Sequence, residues 1–323
     1  MKSVWLSYTM TLFFLTIAFA LFFWLITPSF TTVKLIFHSP LPEFLNMAKN
    51  DQVKSLDWWI PNENNPPNNG LTQLDITGKS ALSYDISTDQ FLYEKNTKGK
   101  MPMASLTKIM TAILALEHKK KDDQYIVRKQ SIVGQDSVGL AEAEVLSLDD
   151  LLYGLILHSG NDAAEVIADN AIGGRQKFIQ DMNNRTKTLG IFDTHFTNPT
   201  GLEGDGNQYT TSYDLLLMTK YALAQFPEFA NIAATPHYVL AATTTHQEYD
   251  LENETNLLTT YPGVRGVKTG YTPEAGLCLI TYLEYKDHKI IAVLLGSEDR
   301  RNEMIKILDY SLKQQGITPP THG

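Results

Sequence analysis

The feature that most constrains this chain is a long uncharged segment near its N-terminus. Residues 4–26 contain no charged side chain and are dominated by Leu, Phe, Ile, Ala and Trp. As a helix that rises about 1.5 Å per residue, the segment would cross a hydrocarbon core of roughly 30 Å. We therefore predict a transmembrane helix at residues 4–26, outside any globular core.

A cleaved signal peptide is the alternative interpretation of this segment. A signal peptide has an apolar core of about 7–15 residues followed by a small-x-small site. Here the pair formed by Ala18 and Ala20 lies inside the apolar run. The nearest positive charges, Lys2 and Lys34, favour a cytoplasmic N-terminus. We expect an uncleaved single-pass anchor in the cell membrane, with residues 1–3 in the cytoplasm and everything after the span outside it.

A breaker-rich segment separates the apolar run from the rest of the chain. Residues 61–70 consist mainly of Pro, Asn and Gly, which is typical of an extended linker. We assign residues 27–70 to a membrane-proximal segment and linker. Residues 71–317 then form one folded domain, and residues 318–323 form a tail.

Strand patterns at the two ends of this domain enclose a helical middle. Residues 81–86 and 91–94 predict a hairpin, and residues 277–283 and 290–295 predict two further strands. Between them, and again after the last strand, apolar residues recur at helical spacing. The order predicts an α/β domain in which the terminal strands share one sheet, with helices packed on the sheet and beside it.

Composition excludes several classes of function. The net charge of −9 argues against a nucleic-acid binder, which needs a basic surface. The single cysteine, Cys278, excludes an internal disulfide and a multi-cysteine zinc site. Since no His, Asp or Glu residues show the spacing of metal ligands, we expect neither a metal nor another cofactor.

A Ser-x-x-Lys pair, Ser105 and Lys108, lies at the start of a predicted helix. Three positions turn a helix by about 300°, so the two side chains share one face. A serine hydroxyl is a poor nucleophile unless a neighbour takes its proton, and a lysine amine can do so when burial or positive charge lowers its pKa. The pair alone is equally compatible with an ordinary helix start.

Two further motifs follow in the chain. A Ser-Gly-Asn motif occupies residues 159–161 between two predicted helices, and a Lys-Thr-Gly motif occupies residues 268–270 before a predicted strand. Each alone is compatible with a turn. Together with the Ser-x-x-Lys pair, in this order, they form the set found in serine β-lactamases and penicillin-binding proteins.

From about residue 79 to residue 312 the chain resembles the low-molecular-mass penicillin-binding proteins, the serine D-alanyl-D-alanine carboxypeptidases. The resemblance is carried by residues 102–112, 151–164, 194–202 and 266–276. It implies a β-lactamase-like fold with an antiparallel sheet, packed helices and a helical subdomain. It also implies a hydrolase of cell wall biogenesis whose substrate is a peptidoglycan stem peptide ending in D-Ala-D-Ala. β-Lactam antibiotics would be covalent inhibitors.

The resemblance also implies roles for the motif residues. Ser105 would attack the peptide carbonyl, with Lys108 as general base. Asn161 would orient Lys108 and bind the substrate amide, while Ser159 and Lys268 would hold the proton for the leaving amine.

The remaining roles implied by the resemblance concern substrate binding. Lys268 and Thr269 would bind the terminal carboxylate, and the backbone N–H groups of Ser105 and Tyr271 would form the oxyanion hole. An arginine before the last helix would help to hold the carboxylate; Arg300 is the match, with Arg301 one position away. The predicted substrate-binding residues are Lys268, Thr269, Gly270, Tyr271 and Arg300.

Three alternative functions stay open at this point. A D,D-endopeptidase acting on cross-links would use the same residues. A class A-like β-lactamase would need a carboxylate to activate water, and Glu203, four positions before Asn207, offers one. A non-catalytic wall-binding protein could keep the same fold, although the intact motifs argue against it.

Overall fold

The computed structural model describes residues 60–61 and 74–322. The described residues belong to one compact unit, Lys54–Gly323, and residues 1–53 lie outside the described residues. The predicted transmembrane helix and most of the predicted linker therefore lie outside them too. Within residues 60–61 and 74–322, no helix combines the length and the apolar content needed to cross a membrane.

Five antiparallel strands form the central sheet: β1 (Ser80–Asp85), β2 (Gln90–Lys95), β7 (Val264–Thr272), β8 (Gly276–Tyr285) and β9 (His288–Ser297). Their spatial order in the sheet is β2-β1-β9-β8-β7. Two short strand pairs lie apart from this sheet: β3 (Tyr125–Ile126) with β4 (Val145–Leu146), and β5 (His237–Leu240) with β6 (Tyr249–Glu252). Strands from both ends of the domain meet where β1 pairs with β9, which confirms the prediction of one shared sheet.

The helices follow the predicted order, with most of them between β2 and β7. They are α1 (Lys108–Glu117), α2 (Leu148–Ile156), α3 (Asn161–Asn170), α4 (Gly174–Thr188), α5 (Ser212–Gln225), α6 (Pro227–Ala233), α7 (Leu257–Thr260) and α8 (Arg300–Gln314). Two 3-10 turns, Ala104–Thr107 and Lys129–Ser131, complete the described helical structure. The predicted α/β class, with an antiparallel sheet and packed helices, is confirmed.

Both faces of the sheet are covered by helices. Residues 290–295 of β9 are all fully buried, and because side chains alternate along a strand, both of its faces lie in the interior. Helix α8 packs on one face, and α5 packs against β1 and β9. The core under α8 joins strand residues such as Leu279, Leu283 and Leu294 to the helix residues Met304, Ile307, Leu308 and Leu312.

Helix α1 is the buried centre of the helical region. Every residue from Lys108 to Leu116 is buried, and the helix contacts α2, α3, α4 and α5. A helix that is apolar on all sides is stable only when other elements surround it. This enclosure carries the amine of Lys108, at the first position of α1, into the interior of the protein.

Candidate active site

The Ser105 hydroxyl is presented by a 3-10 turn that precedes the helix. The sequence predicted that the helix would start at Ser105, but α1 begins at Lys108 and Ser105 lies in the turn Ala104–Thr107. The Thr107 hydroxyl donates to the Ala104 carbonyl at 2.9 Å, which competes with regular helical bonding at the first residues. Ser105 is only 9% exposed, so its side chain is largely buried.

The Lys108 amine makes three hydrogen bonds. Lys108 Nζ lies 2.8 Å from Ser105 Oγ, 2.7 Å from Asn161 Oδ1 and 2.8 Å from the carbonyl oxygen of Thr200. The amide and carbonyl oxygens can only accept. In neutral Lys108 they take the two amine hydrogens, and the remaining lone pair faces the Ser105 hydroxyl. This is the arrangement that a general base for Ser105 requires.

Burial and a neighbouring cation make the neutral form of Lys108 accessible. The side chain is fully buried, and burial disfavours the ammonium form. Together with the positive charge of Lys268, burial holds the pKa of Lys108 well below its usual value. The predicted electrostatic condition for an active lysine base is therefore met.

Asn161 is held by the loop between the 3-10 turn Lys129–Ser131 and β4. Its side-chain Nδ2 donates to the Gln135 carbonyl at 2.6 Å, which leaves Oδ1 turned toward Lys108. Its backbone N–H donates to the Asp136 carbonyl at 2.8 Å. The neighbouring Asp162 carboxylate accepts from the backbone N–H groups of Val138, Gly139 and Leu140 at 2.9–3.0 Å. The sequence analysis did not identify Asp162, whose contribution is to hold this loop against the second motif.

Thr200 supplies the third contact of Lys108 through its backbone. Asn198 Oδ1 accepts from the backbone N–H groups of Thr200 and Gly201, which fixes the turn that directs the Thr200 carbonyl. Gly201 has a φ of +91°, and a Cβ there would lie 1.9 Å from the Ala104 carbonyl oxygen. Residues 194–202 carried part of the sequence resemblance, but the contact itself is made by a carbonyl group and has no side-chain signature.

Lys268 and Thr269 lie within strand β7, where the sequence analysis allowed a turn. Both side chains are buried. Burial lowers the pKa of Lys268 to about 8. The positive charge of Arg300 lowers this pKa further, whereas the negative charge of Glu254 raises it. Lys268 Nζ has no hydrogen-bond partner within the part of the chain that the structure describes. A buried ammonium that lacks a hydrogen-bond partner is costly, so this group is suited to binding an anion.

Glu254 is a member of the site that the sequence analysis missed. Thr269 Oγ1 donates to Glu254 Oε2 at 2.7 Å, and the same oxygen lies 3.9 Å from Lys268 Nζ. The backbone N–H of Glu254 donates to the Leu157 carbonyl at 3.1 Å, next to the second motif. Nothing in the Asn- and Thr-rich stretch around Glu254 indicated this position.

Gly270 allows strand β7 to approach the Ser105 turn. A Cβ at Gly270 would lie 3.2 Å from both the Ser105 backbone nitrogen and the Ala104 Cβ. Tyr271 follows on the same strand and is 57% exposed, so its side chain lies at the rim of the site. The close approach is compatible with an oxyanion hole formed by the N–H groups of Ser105 and Tyr271.

Arg300, and not Arg301, contacts the third motif. Arg300 Nη1 donates to the Gly270 carbonyl at 3.2 Å, whereas Arg301 Nη2 lies 3.4 Å from the Thr260 hydroxyl. Burial lowers the pKa of Arg300, and the negative charge of Glu254 opposes that effect. The structure thus places one fixed cation, Arg300, beside Lys268.

Ser159 lies in the turn between α2 and α3. It is 3% exposed and has a φ of +61°, a left-handed conformation that a non-glycine residue adopts only at a cost. Gly160 precedes Asn161, the first residue of α3, and no side chain caps this helix. The strained turn holds Ser159 beside the Lys108 partner Asn161.

The remaining polar candidates are engaged elsewhere. Glu203, the carboxylate considered for a β-lactamase, accepts from the Glu274 backbone N–H at 2.9 Å, and a hydrogen bond from the Thr272 side chain lowers its pKa. Cys278 is fully buried, and burial raises the pKa of its thiol to about 11. Among residues 74–322, no group of three or more His, Cys, Asp and Glu side chains could hold a metal ion.

Known proteins are similar to this chain in sequence and in fold. The D-alanyl-D-alanine carboxypeptidase DacF of Bacillus subtilis is 32% identical over 257 residues, which are 77% of this chain and 65% of DacF. The D-alanyl-D-alanine endopeptidase of Pseudomonas aeruginosa is 30% identical over 67% of this chain and 70% of that protein. The ampicillin-bound structure of penicillin-binding protein D2 from Listeria monocytogenes matches with a TM-score of 0.65 and 30% identity, over 74% of this chain and 98% of that one.

The family assignment follows from a match over most of the chain. The family model for D-alanyl-D-alanine carboxypeptidases matches residues 41–299, which include all three motifs. The resemblance predicted from the sequence is confirmed, and the chain belongs to the D-alanyl-D-alanine carboxypeptidase family, peptidase family S11.

Proposed function

We propose that this protein is a serine-type D-alanyl-D-alanine carboxypeptidase that trims peptidoglycan stem peptides and is inhibited by penicillins. The observation that carries the proposal is the set of hydrogen bonds around Lys108 Nζ. Two obligate acceptors, Asn161 Oδ1 and the Thr200 carbonyl, direct the amine lone pair at Ser105 Oγ. The family match and the β-lactam complex of a structural relative support the same assignment.

Acylation begins when Ser105 Oγ attacks the carbonyl carbon of the penultimate D-Ala. The hydroxyl proton passes to Lys108 Nζ as the new C–O bond forms. The oxyanion of the tetrahedral intermediate accepts hydrogen bonds from the backbone N–H groups of Ser105 and Tyr271. The C–N bond then breaks, and the proton that Lys108 took from Ser105 is relayed by Ser159 and Lys268 to the leaving amine, so that both lysines return to their starting protonation.

The terminal carboxylate of the peptide binds between Lys268, Thr269 and Arg300. Lys268 is a buried ammonium without a hydrogen-bond partner among the described residues, and Arg300 is fixed on the Gly270 carbonyl beside it. Water finally attacks the acyl-enzyme, which releases the shortened peptide and returns the Ser105 hydroxyl. A penicillin acylates Ser105 by the same first step and leaves slowly.

The test is covalent labelling of the full-length protein by a fluorescent penicillin, read by gel and by intact mass. Ser105→Ala should abolish the adduct, because it removes the hydroxyl that forms the ester in the proposed mechanism. Ser87→Ala, in an exposed turn between β1 and β2, is the matched control and should label like the wild type. Adduct formation at the wild-type level in Ser105→Ala would refute the assignment, and so would failure of the wild type to react.

A β-lactamase is the weaker alternative on present geometry. Its deacylation needs a carboxylate that activates water, and Glu203 is instead bound to the Glu274 N–H. Rapid turnover of a chromogenic cephalosporin would contradict the carboxypeptidase assignment. Digestion of purified peptidoglycan, read by mass spectrometry, distinguishes D-Ala release from cross-link cleavage. Cross-link cleavage is the second candidate activity, because one relative is named a D-alanyl-D-alanine endopeptidase.

We also propose that residues 4–26 anchor the protein in the cell membrane, with the catalytic domain outside the cytoplasm. The support is the uncharged composition of the segment. Burial of about 20 apolar residues in lipid is effectively irreversible. The full-length protein should therefore stay with membranes in carbonate, and a variant lacking residues 1–27 should be released in active form. A native protein found in the medium without its N-terminus would instead identify a cleaved signal peptide.

A further inference from the structure

A carboxylate of the protein itself lies at the proposed binding position for the substrate carboxylate. Glu254 Oε2 accepts the hydrogen bond of the Thr269 hydroxyl at 2.7 Å and lies 3.9 Å from Lys268 Nζ. The charge of Glu254 also acts on the buried guanidinium of Arg300. Lys268, Thr269 and Arg300, the three residues that would hold the terminal carboxylate of a peptide, therefore all interact with the Glu254 carboxylate.

The backbone of Glu254 is fixed, whereas its side chain reaches solvent. Its N–H is bound to the Leu157 carbonyl. The preceding Asn253 is held through its side-chain Nδ2 on the carbonyls of Ala233 and Thr235 at 3.2 and 2.9 Å. The Glu254 side chain is 40% exposed, so it can turn away from the motif without exposing core. It is an anion that can occupy the site and can also be displaced from it.

We propose that Glu254 is a specificity-determining residue that competes with the terminal carboxylate of D-Ala-D-Ala peptides. It thereby shifts preference toward leaving groups that carry no carboxylate at this position. The inference rests on the proposed function, since it concerns the same acylation step.

The competition follows from charge and from hydrogen-bond capacity. A substrate carboxylate must displace Glu254 from the Thr269 hydroxyl, or bind beside a like charge. A leaving group that ends in a carboxamide meets no such repulsion, and its N–H can donate to Glu254. A hydrogen bond to a charged group is of a size that changes a rate by about ten- to a hundredfold.

The experiment compares two peptides that differ only at this end. One is an acetylated peptide ending in D-Ala-D-Ala, and the other ends in D-Ala-D-alaninamide. The ratio of their kcat/KM values is measured at pH 6.5, where Lys268 keeps its proton, for the wild type and for Glu254→Gln. Glu252→Gln, which removes a charge from a side chain 80% exposed on β6, is the matched control.

Glu254→Gln should raise the acid-to-amide ratio by about tenfold or more, and Glu252→Gln should leave it at the wild-type value. Glu254→Ala should raise the ratio as well, which would show that the change does not come from the side-chain amide of the glutamine variant. An unchanged or lowered ratio in both Glu254 variants of an active enzyme would overturn the inference alone. A wild type that cleaves neither peptide and takes up no penicillin would overturn the proposed function together with it.

Discussion

Replacing Lys268 with arginine should remove the alkaline limb of the pH profile for kcat/KM. In the proposed mechanism, Lys268 must be protonated to hold the substrate carboxylate, whereas Lys108 must be neutral to take the Ser105 proton. Activity should therefore rise with pH as Lys108 loses its proton and fall as Lys268 loses its own, which gives a bell-shaped profile.

The position of the falling limb follows from the pKa of Lys268. Burial lowers it to about 8. A group with that pKa is protonated to about 90% at pH 7 and to about 10% at pH 9, so kcat/KM should fall about tenfold over this interval. Arginine stays charged throughout the range, so Lys268→Arg should lack the limb even if its larger side chain lowers the absolute rate.

The assay is hydrolysis of a D-Ala-D-Ala peptide between pH 5.5 and 9.5, with circular dichroism at each pH to confirm that the fold persists. The shape of the profile is the readout, and its height is not. A D-alaninamide substrate serves as the internal control. It has no carboxylate for Lys268 to bind, so the fall of its kcat/KM at alkaline pH should be weaker. A wild-type profile that stays flat to pH 9.5, or an identical falling limb in Lys268→Arg, would refute the assigned role of this ammonium.

Two further substitutions test the scaffold. Gly201→Ala should abolish penicillin labelling and lower the melting temperature, because its Cβ would lie 1.9 Å from the Ala104 carbonyl oxygen. Gly204 is the control, because it also has a positive φ but an added Cβ would meet no atom within 4 Å. Gly204→Ala should lower the free energy of unfolding only by the roughly 1–2 kcal/mol that a left-handed backbone costs. Glu303→Gln should destabilise the domain by about 1–3 kcal/mol at neutral pH in urea unfolding, because the Glu303 carboxylate accepts hydrogen bonds from Thr77, Gly78 and Ser297. Burial raises the pKa of Glu303, but these hydrogen bonds lower it by more, so the net shift of the pKa is downward. The stabilisation that Glu303 gives the wild type should therefore be lost as the pH falls below about 4.5, while the stability of Glu303→Gln should depend less on pH.

The chemistry of this chain was predictable because it resides in short side-chain motifs. The Ser105 and Lys108 pair and the apolar spacing of α1 indicated a nucleophile beside a buried base, and in the structure Lys108 Nζ contacts both Ser105 Oγ and Asn161 Oδ1. Strand β9 was predictable because residues 290–295 form an uninterrupted apolar run, and the other terminal strands were predictable because aliphatic and aromatic residues dominate residues 81–86, 91–94 and 277–283. The predicted start of α1 was wrong by three residues, because the Ala104–Thr107 segment forms a 3-10 turn.

The missed members of the site lack a local signature. The Thr200 contact is made by a carbonyl group, which every residue possesses. Strand β7 was not predicted, since Lys268, Thr269 and Gly270 interrupt the apolar pattern that marks the other strands of the sheet. Glu254 becomes part of the site through contacts with Lys268 and Thr269, 14 and 15 positions later. Such pairings depend on the fold, and a pattern within one segment cannot reveal them.

The three hydrogen bonds of Lys108 also make acylation a measure of how much of the protein is folded. Two of the partners, Asn161 and the Thr200 carbonyl, lie 53 and 92 positions away along the chain. Contacts between such distant segments carry the largest loop-closure cost and are lost on any opening that separates them. A collapsed state that keeps its helices but not these contacts would retain its far-ultraviolet dichroism and fail to react. The rate of penicillin labelling during refolding would therefore count native molecules, and it would lag behind the recovery of secondary structure.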